Sequence, residues 1–231
     1  MIKDNIAAVR ERIDAAAKRA GRDPEEIKLI AVSKTMPVEM LKEAYEAGQR
    51  DFGENRVQEL VPKMEELPAD IRWHLIGQLQ KNKVKYISGK TELIHSVDSI
   101  GLAQFIDKEA KKRGVVSDIL LEVNIAGEES KSGFKPEEVL DAAEQISALD
   151  GVRIRGLMTV APLVANAEDN RIYFRNLKHL YIDMQNKNMD NSMVDTLSMG
   201  MSGDFEVAVE EGATMVRVGT AIFGKRSYEI T

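Results

Sequence analysis

The chain has 231 residues, 43% hydrophobic and 30% charged, a balance that excludes a disordered segment and suits one large α/β barrel without demanding a domain split. A formal net charge of -6 argues against a general electrostatic pull on nucleic acid or anionic lipid and leaves a small molecule as the expected partner. The lack of cysteine rules out disulfides, thiolate metal sites and cysteine nucleophiles, and is compatible with a reducing interior.

The opening residues MIKDNIAAVRERID are amphipathic and carry acids, so neither a secretory leader nor a membrane span is readable, and a cytoplasmic location is expected. Ile6, Val9, Ile13 and Ala17 fall on one stripe over 3–20, which predicts an opening helix stopped at Gly21. Asp23, Pro24 and Glu26 read as the N-cap, first-turn proline and capping acid of a short turn. The apolar run IKLIAVSK (27–34) is a strand, and Pro37 opens a helix over 37–48. Further strands are expected at 49–53, 72–77, 92–97, 118–124, 152–159, 196–199 and 215–219, making eight with the first. Helices are clearest at 99–113, 136–149, 168–186 and 204–211. This alternation predicts parallel pairing through right-handed crossovers and closure into a single (β/α)8 barrel domain over 1–231, preceded by an extra N-terminal helix. An open doubly wound sheet is the alternative, and no linker or repeat divides the chain.

In such a barrel the working face lies at the C-terminal ends of the strands, where apolar runs give way to polar loops. The candidates are Lys34 after LIAVS, the FGENR turn (52–56), His74, Asn124, Met158, the SMGMSGD loop (198–204) and RVGTAIFG (217–224). A register that buries Leu29, Ile30, Ala31 and Val32 points the Lys34 amine into or over the barrel. Desolvation there favours the neutral amine needed to attack an aldehyde, whereas a solvated strand-end lysine is the plainer alternative. Gly219 and Thr220 follow strand eight, where barrels bind phosphate through loop amides, and Ser198 and Gly200 occupy the neighbouring loop, so the two loops make one anion cradle or else ordinary turns and a helix cap.

Arg217 inside MVRVG needs an acceptor if it faces inward, either a cofactor ring nitrogen or a carboxylate such as Glu122. His74 and Asn55 are placed to hydrogen-bond a cofactor ring or order the pocket, although a lone strand histidine is more often a satisfied core residue, and His95 reads the same way. The three histidines lack metal-site spacing, and GMSG lacks that of a nucleophile elbow, so no metal is expected. The loop AGEESKSGF (126–134) is a solvated loop or a cover for the barrel mouth, and KNKVK (81–85) reads as a solvated helix face.

Taken in order, AVSKT (31–35), FGENRVQE (52–59), WHLIGQLQKNK (73–83), HSVDS (95–99), GLMTVAP (156–162) and LSMGMSGDFEVAVEEGATMVRVGTAIFG (197–224) resemble the pyridoxal 5'-phosphate (PLP) homeostasis protein family over nearly the whole chain. That family is similar in fold to the barrel domain of alanine racemase, the type III class of PLP proteins. The resemblance implies PLP held as an internal aldimine on Lys34, with Arg217 facing the pyridine nitrogen. It also implies Ser198, Gly219 and Thr220 on the phosphate, with Gly200 in the same loop, and Asn55, His74 and Met158 lining the pocket.

By the same resemblance the chain buffers or delivers PLP inside the cell, with apo PLP-dependent enzymes as recipients, and has no substantial turnover. Racemases of this fold use a second β domain, for which the barrel and opening helix leave no residues, so a monomer that is not an enzyme is expected. The alternatives are a PLP-dependent amino-acid racemase or decarboxylase, and a PLP-free barrel that uses Lys34 as an aldolase-type imine former.

Overall fold

The computed structural model describes residues 1–187 and 189–224, so residues 188 and 225–231 of the expected 1–231 domain lie outside it. Among the described residues, eight parallel strands follow one another in chain order and close into a barrel, with β8 paired back to β1. They are β1 (Lys28–Val32), β2 (Asp51–Glu54), β3 (Arg72–Leu75), β4 (Leu93–Val97), β5 (Ser117–Glu122), β6 (Val152–Met158), β7 (Ser192–Ser198) and β8 (Met215–Val218). The opening helix α1 (Ile2–Arg19) precedes them. Between and after the strands lie α2 (Val38–Glu46), α3 (Val57–Glu66), α4 (Val84–Ile87), α5 (Ile100–Arg113), α6 (Val139–Ser147), α7 (Arg171–Gln185), α8 (Phe205–Glu210) and α9 (Thr220–Phe223). No helix among the described residues is long and apolar enough to cross a membrane.

Local chemistry sets several of these boundaries. The Ser99 hydroxyl accepts from the Leu102 amide at 3.3 Å to start α5, and Gly114 ends that helix in the left-handed conformation. β7 begins at Ser192 rather than at the expected 196, because its first residues alternate half-buried and exposed and lack the apolar run of a core strand. Helix α3 fills the gap between β2 and β3, as the strand–helix alternation requires, but it is not among the helices clearest in the sequence: Pro62 lies inside it, and its fully buried positions are few, Val57, Leu60 and Lys63. Gly156 breaks the register between β6 and β7, with a φ of 144°; a Cβ there would stand 1.8 Å from the Thr196 carbonyl oxygen.

Most of the core lies between the barrel and its helices. α1 lays Ile6, Val9 and Ile13 into this layer, while Arg22 Nη1, just beyond the helix, donates to the carbonyls of Val209 and Ala213 at 2.8 Å each. Inside the barrel a separate apolar cluster of Ile30, Leu93, Leu120, Met158 and Met215 fills only part of the space. The remainder holds buried polar groups, including His74, His95, Ser198 and Arg217, and this division of the interior positions the site.

Candidate functional site

A cavity of about 400 Å³ opens at the C-terminal ends of β1, β2 and β8. Lys34 and Val32 line one side, Ser202, Gly203, Gly219 and Thr220 another, and Arg217 reaches it from within β8. Five of the residues expected from the sequence therefore meet here: Lys34, Asn55, Arg217, Gly219 and Thr220. His74, Met158, Ser198 and Gly200 are not part of the lining.

Lys34 is half-buried and sits in a turn two residues beyond the end of β1 at Val32, whereas the expected strand ran through to it. The turn is held from outside the barrel. Thr35 adopts a φ of 63°, a conformation uncommon for a residue other than glycine, and its amide donates to Glu59 Oε2 at 2.8 Å. Lys63 Nζ donates to the Ser33 carbonyl at 2.9 Å and to Glu54 Oε1 at 2.7 Å, while the Ser33 hydroxyl donates to the same Glu54 oxygen at 2.6 Å. Helix α3 thus fixes both residues that flank Lys34. Burial raises the Glu54 carboxyl against the pull of Lys63 and Ser33, and its Oε2 is buried without a partner.

At the opposite end the two loops expected to cradle an anion meet. The Gly219 amide donates to Ser202 Oγ at 3.2 Å, tying the loop after β7 to the loop after β8, and Thr220 is exposed beside it. Asp204 also lines the cavity, but its Oδ1 accepts from the Met201 amide at 2.7 Å and its Oδ2 from Asn170 Nδ2 at 2.7 Å, so the carboxylate holds the 201–204 turn together. Gly200 has a different duty. Its φ is 90°, a Cβ would fall 2.5 Å from that of Ala208, and its carbonyl accepts from the Arg217 amide at 3.1 Å.

Ser198 is the last residue of β7, and its side chain follows the inward alternation of the strand rather than joining the loop. It is fully buried, with Oγ 2.5 Å from Arg217 Nη1 and 3.0 Å from His95 Nδ1. His74 is likewise a core residue, with Nδ1 3.0 Å from His95 Nε2 and Nε2 3.1 Å from Asp51 Oδ1. Met158 lies in the interior apolar cluster. The rest of the Arg217 fork is occupied by the Thr159 carbonyl, which accepts from Nη2 at 2.7 Å, so Glu122 is its electrostatic neighbour rather than a recorded hydrogen-bond partner. Burial lowers the Arg217 guanidinium to about 10, while Asp204 and Glu122 draw it back up. It therefore remains a cation at neutral pH.

Sequence reasoning missed Ser202, Asn170, the α3 clamp of Glu59 and Lys63, and Asp51. Ser202 was within reach: once β7 ends at 198, a loop donor must come later, and 202 is the next hydroxyl. The loop at 126–134 is half-buried to exposed over 126–133. Lys131 Nζ donates to the carbonyls of Val160 and Ala161 at 3.3 Å each, tying the loop to the rim. Among the described residues no cluster of histidines and carboxylates is arranged to hold a metal.

The cavity has the parts needed by a pyridoxal phosphate: an amine for its aldehyde, a cation for its ring nitrogen, and amides and hydroxyls for its phosphate. Comparison with known proteins agrees. The profile described as "Alanine racemase, N-terminal domain" matches residues 5–227. The pyridoxal phosphate homeostasis protein of Aquifex aeolicus is 49% identical over 226 residues, covering 97% of this chain and 98% of that one. A crystal structure of an unknown protein from Bifidobacterium adolescentis superposes with a TM-score of 0.91 at 40% identity, covering 96% of this chain and 94% of its own. PipY of Synechococcus elongatus, solved with PLP bound, superposes with a TM-score of 0.84 at 38% identity, covering 97% of this chain and 100% of its own. Matched over nearly its whole length by that profile and by relatives that carry the name, the chain belongs to the pyridoxal phosphate homeostasis protein family.

Proposed function

We propose that this protein binds PLP in the cavity, with Lys34 as the amine that holds it, and that it buffers or delivers the cofactor without substantial turnover of its own. One observation carries the reading: Lys34, Arg217 and the Ser202–Gly219 anion end line a single cavity at the C-terminal face of the barrel. When bound, PLP supplies an aldehyde and an electron-accepting ring. The chain supplies the rest. The α3 clamp holds the Lys34 turn, Arg217 places a permanent cation where a pyridine nitrogen would otherwise take a proton, and Ser202, Gly203, Gly219 and Thr220 offer donors to the phosphate. PipY, at 38% identity, was solved with PLP bound, and the curated relatives carry the name of a homeostasis protein.

The test is chemical. Purified protein mixed with PLP should acquire a visible absorption band, and borohydride should then fix the mass of the cofactor on the peptide that contains Lys34; Lys34→Ala should do neither. A colourless protein that takes up no PLP would point instead to an aldolase-type barrel. Delivery is read by transfer to an apo PLP-dependent enzyme, where wild type should activate the acceptor and Lys34→Ala should not. A monomer at working concentrations is part of this reading.

A second reading has one observation in its favour. Burial and the Asp98 charge push the Glu122 carboxyl up to about 7, with Arg217 pulling it back, and a carboxyl poised there is suited to moving a proton. If Glu122 serves a racemase or decarboxylase, an amino-acid panel in heavy water will show Cα exchange or substrate loss above that of free PLP.

A further inference from the structure

The interior of the barrel holds a row of polar groups that runs from its floor to the cavity. Asp51 opens β2 at the floor, His74 and His95 follow in β3 and β4, and Ser198 and Arg217 complete the row in β7 and β8. We propose that Asp51, His74, His95 and Ser198 are positioning residues for Arg217, linked in a one-way hydrogen-bond chain whose donor order is fixed from both ends. The inference rests on the PLP reading for its purpose and on the geometry alone for its direction.

The order follows from which groups lack a choice. Asp51 accepts from Arg72 Nε at 2.9 Å and Nη2 at 2.5 Å and lies 3.7 Å from Lys28 Nζ, so it is a carboxylate and only accepts. His74 must therefore carry its proton on Nε2, the nitrogen 3.1 Å from Asp51. Both imidazoles are fully buried, and burial favours their neutral forms. A neutral His74 leaves Nδ1 bare to accept from His95 Nε2, 3.0 Å away. His95 Nδ1 is then bare in turn and accepts the Ser198 hydroxyl proton at 3.0 Å. The Ser198 oxygen receives Arg217 Nη1, and Arg217, which only donates, closes the series from the other side. Every proton points from the cavity towards the floor. Reversing one link would place an extra proton or an unpaired group in the core.

This order has a consequence for the cofactor. The single Ser198 proton is engaged with His95, so its hydroxyl is not a phosphate donor, and the anion end falls to Ser202, Gly203, Gly219 and Thr220. With Nη1 held by Ser198 and Nη2 by Thr159, the guanidinium plane at the cavity is set by a carboxylate at the far end of the barrel.

Two measurements test the proposal. In the protein without PLP at neutral pH, nitrogen-15 spectra of the imidazoles should show His74 and His95 both neutral with the proton on Nε2. A proton on Nδ1 of either ring would overturn the chain, whatever PLP does. In the loaded protein, Ser198→Ala and Asp51→Asn should still attach PLP to Lys34, but with a displaced absorption maximum and a Kd raised by about tenfold, the effect expected from one charge-assisted hydrogen bond. Ser198→Thr, which keeps the hydroxyl, should restore the wild-type band. A purely structural role would lower stability and leave the band in place, so an unmoved band and Kd in both variants would also overturn it. Should both variants fail to fold, the wild-type tautomers decide. A wild type that takes up no PLP would sink the cofactor reading and leave the tautomer result intact.

Discussion

Glu122 is the last residue of β5, where burial and then Asp98 raise its carboxyl from 4.5 to about 7 and Arg217 opposes them. Its folded-state affinity for a proton exceeds that of the unfolded chain, so between these values the native state holds a proton that the unfolded state has lost. Stability therefore falls as pH rises through that window, by about 3 kcal/mol at most for a shift of this size. Glu122→Gln cannot lose that proton. Urea denaturation from about pH 5 to about pH 8 should show the variant gaining on wild type as pH rises, and parallel curves would remove Glu122 as the titrating group. At this scale the sequence is informative where a charge interrupts an apolar run: Lys34 after LIAVS and Arg217 within MVRVG both line the cavity. It is less informative where two serines lie four residues apart, because the end of β7 decides which of Ser198 and Ser202 turns inward.

At the scale of elements, helix α3 has a large effect on the site. Lys63 is its only recorded tie to both Ser33 and Glu54 among the described residues, and the Glu54 carboxylate is fully buried. Lys63→Ala leaves a buried acid with its cation removed, a change that costs about 3 kcal/mol or more in other buried pairs. Replacing both partners, Lys63→Met with Glu54→Gln, avoids the stranded charge and should recover part of the loss. Chemical denaturation of the single and double variants measures the difference; additive losses would show that the two side chains are not coupled. This helix is among the less distinct ones in the sequence for physical reasons. Pro62 is a helix breaker by propensity and interrupts the stripe of Val57, Leu60, Val61 and Met64, while Lys63 packs its stem and pairs its head internally. The other large helices were legible because their caps and stripes agree, as Ser99 and Gly114 do around α5.

At the scale of the whole molecule, β7 and β8 meet at a seam that also frames the cavity. β7 and β8 share one register pair, Ser198 with Met215, and the rest of the seam is joined by residues at or beyond the strand ends. The Met199 amide donates to the Met215 carbonyl at 3.2 Å, and the Arg217 amide to that of Gly200 at 3.1 Å. On the other side β8 runs against β1 in continuous register from Lys28 to Ala31. A phosphate held between Ser202 and Gly219 would bridge the weaker side, so binding should stabilise the loops at 198–204 and 217–221 more than the continuous ladder of β5 and β6. Ligand present at about a hundred times its Kd adds about 2.7 kcal/mol to the native state, which for a chain of this size raises Tm by about 5–10 °C. Amide exchange with and without PLP locates the gain, and Lys34→Ala, which keeps the anion loops, separates the phosphate contribution from covalent attachment. Protection spread evenly around all strands, or concentrated at β4 and β5, would mean that the cofactor does not sit across the seam.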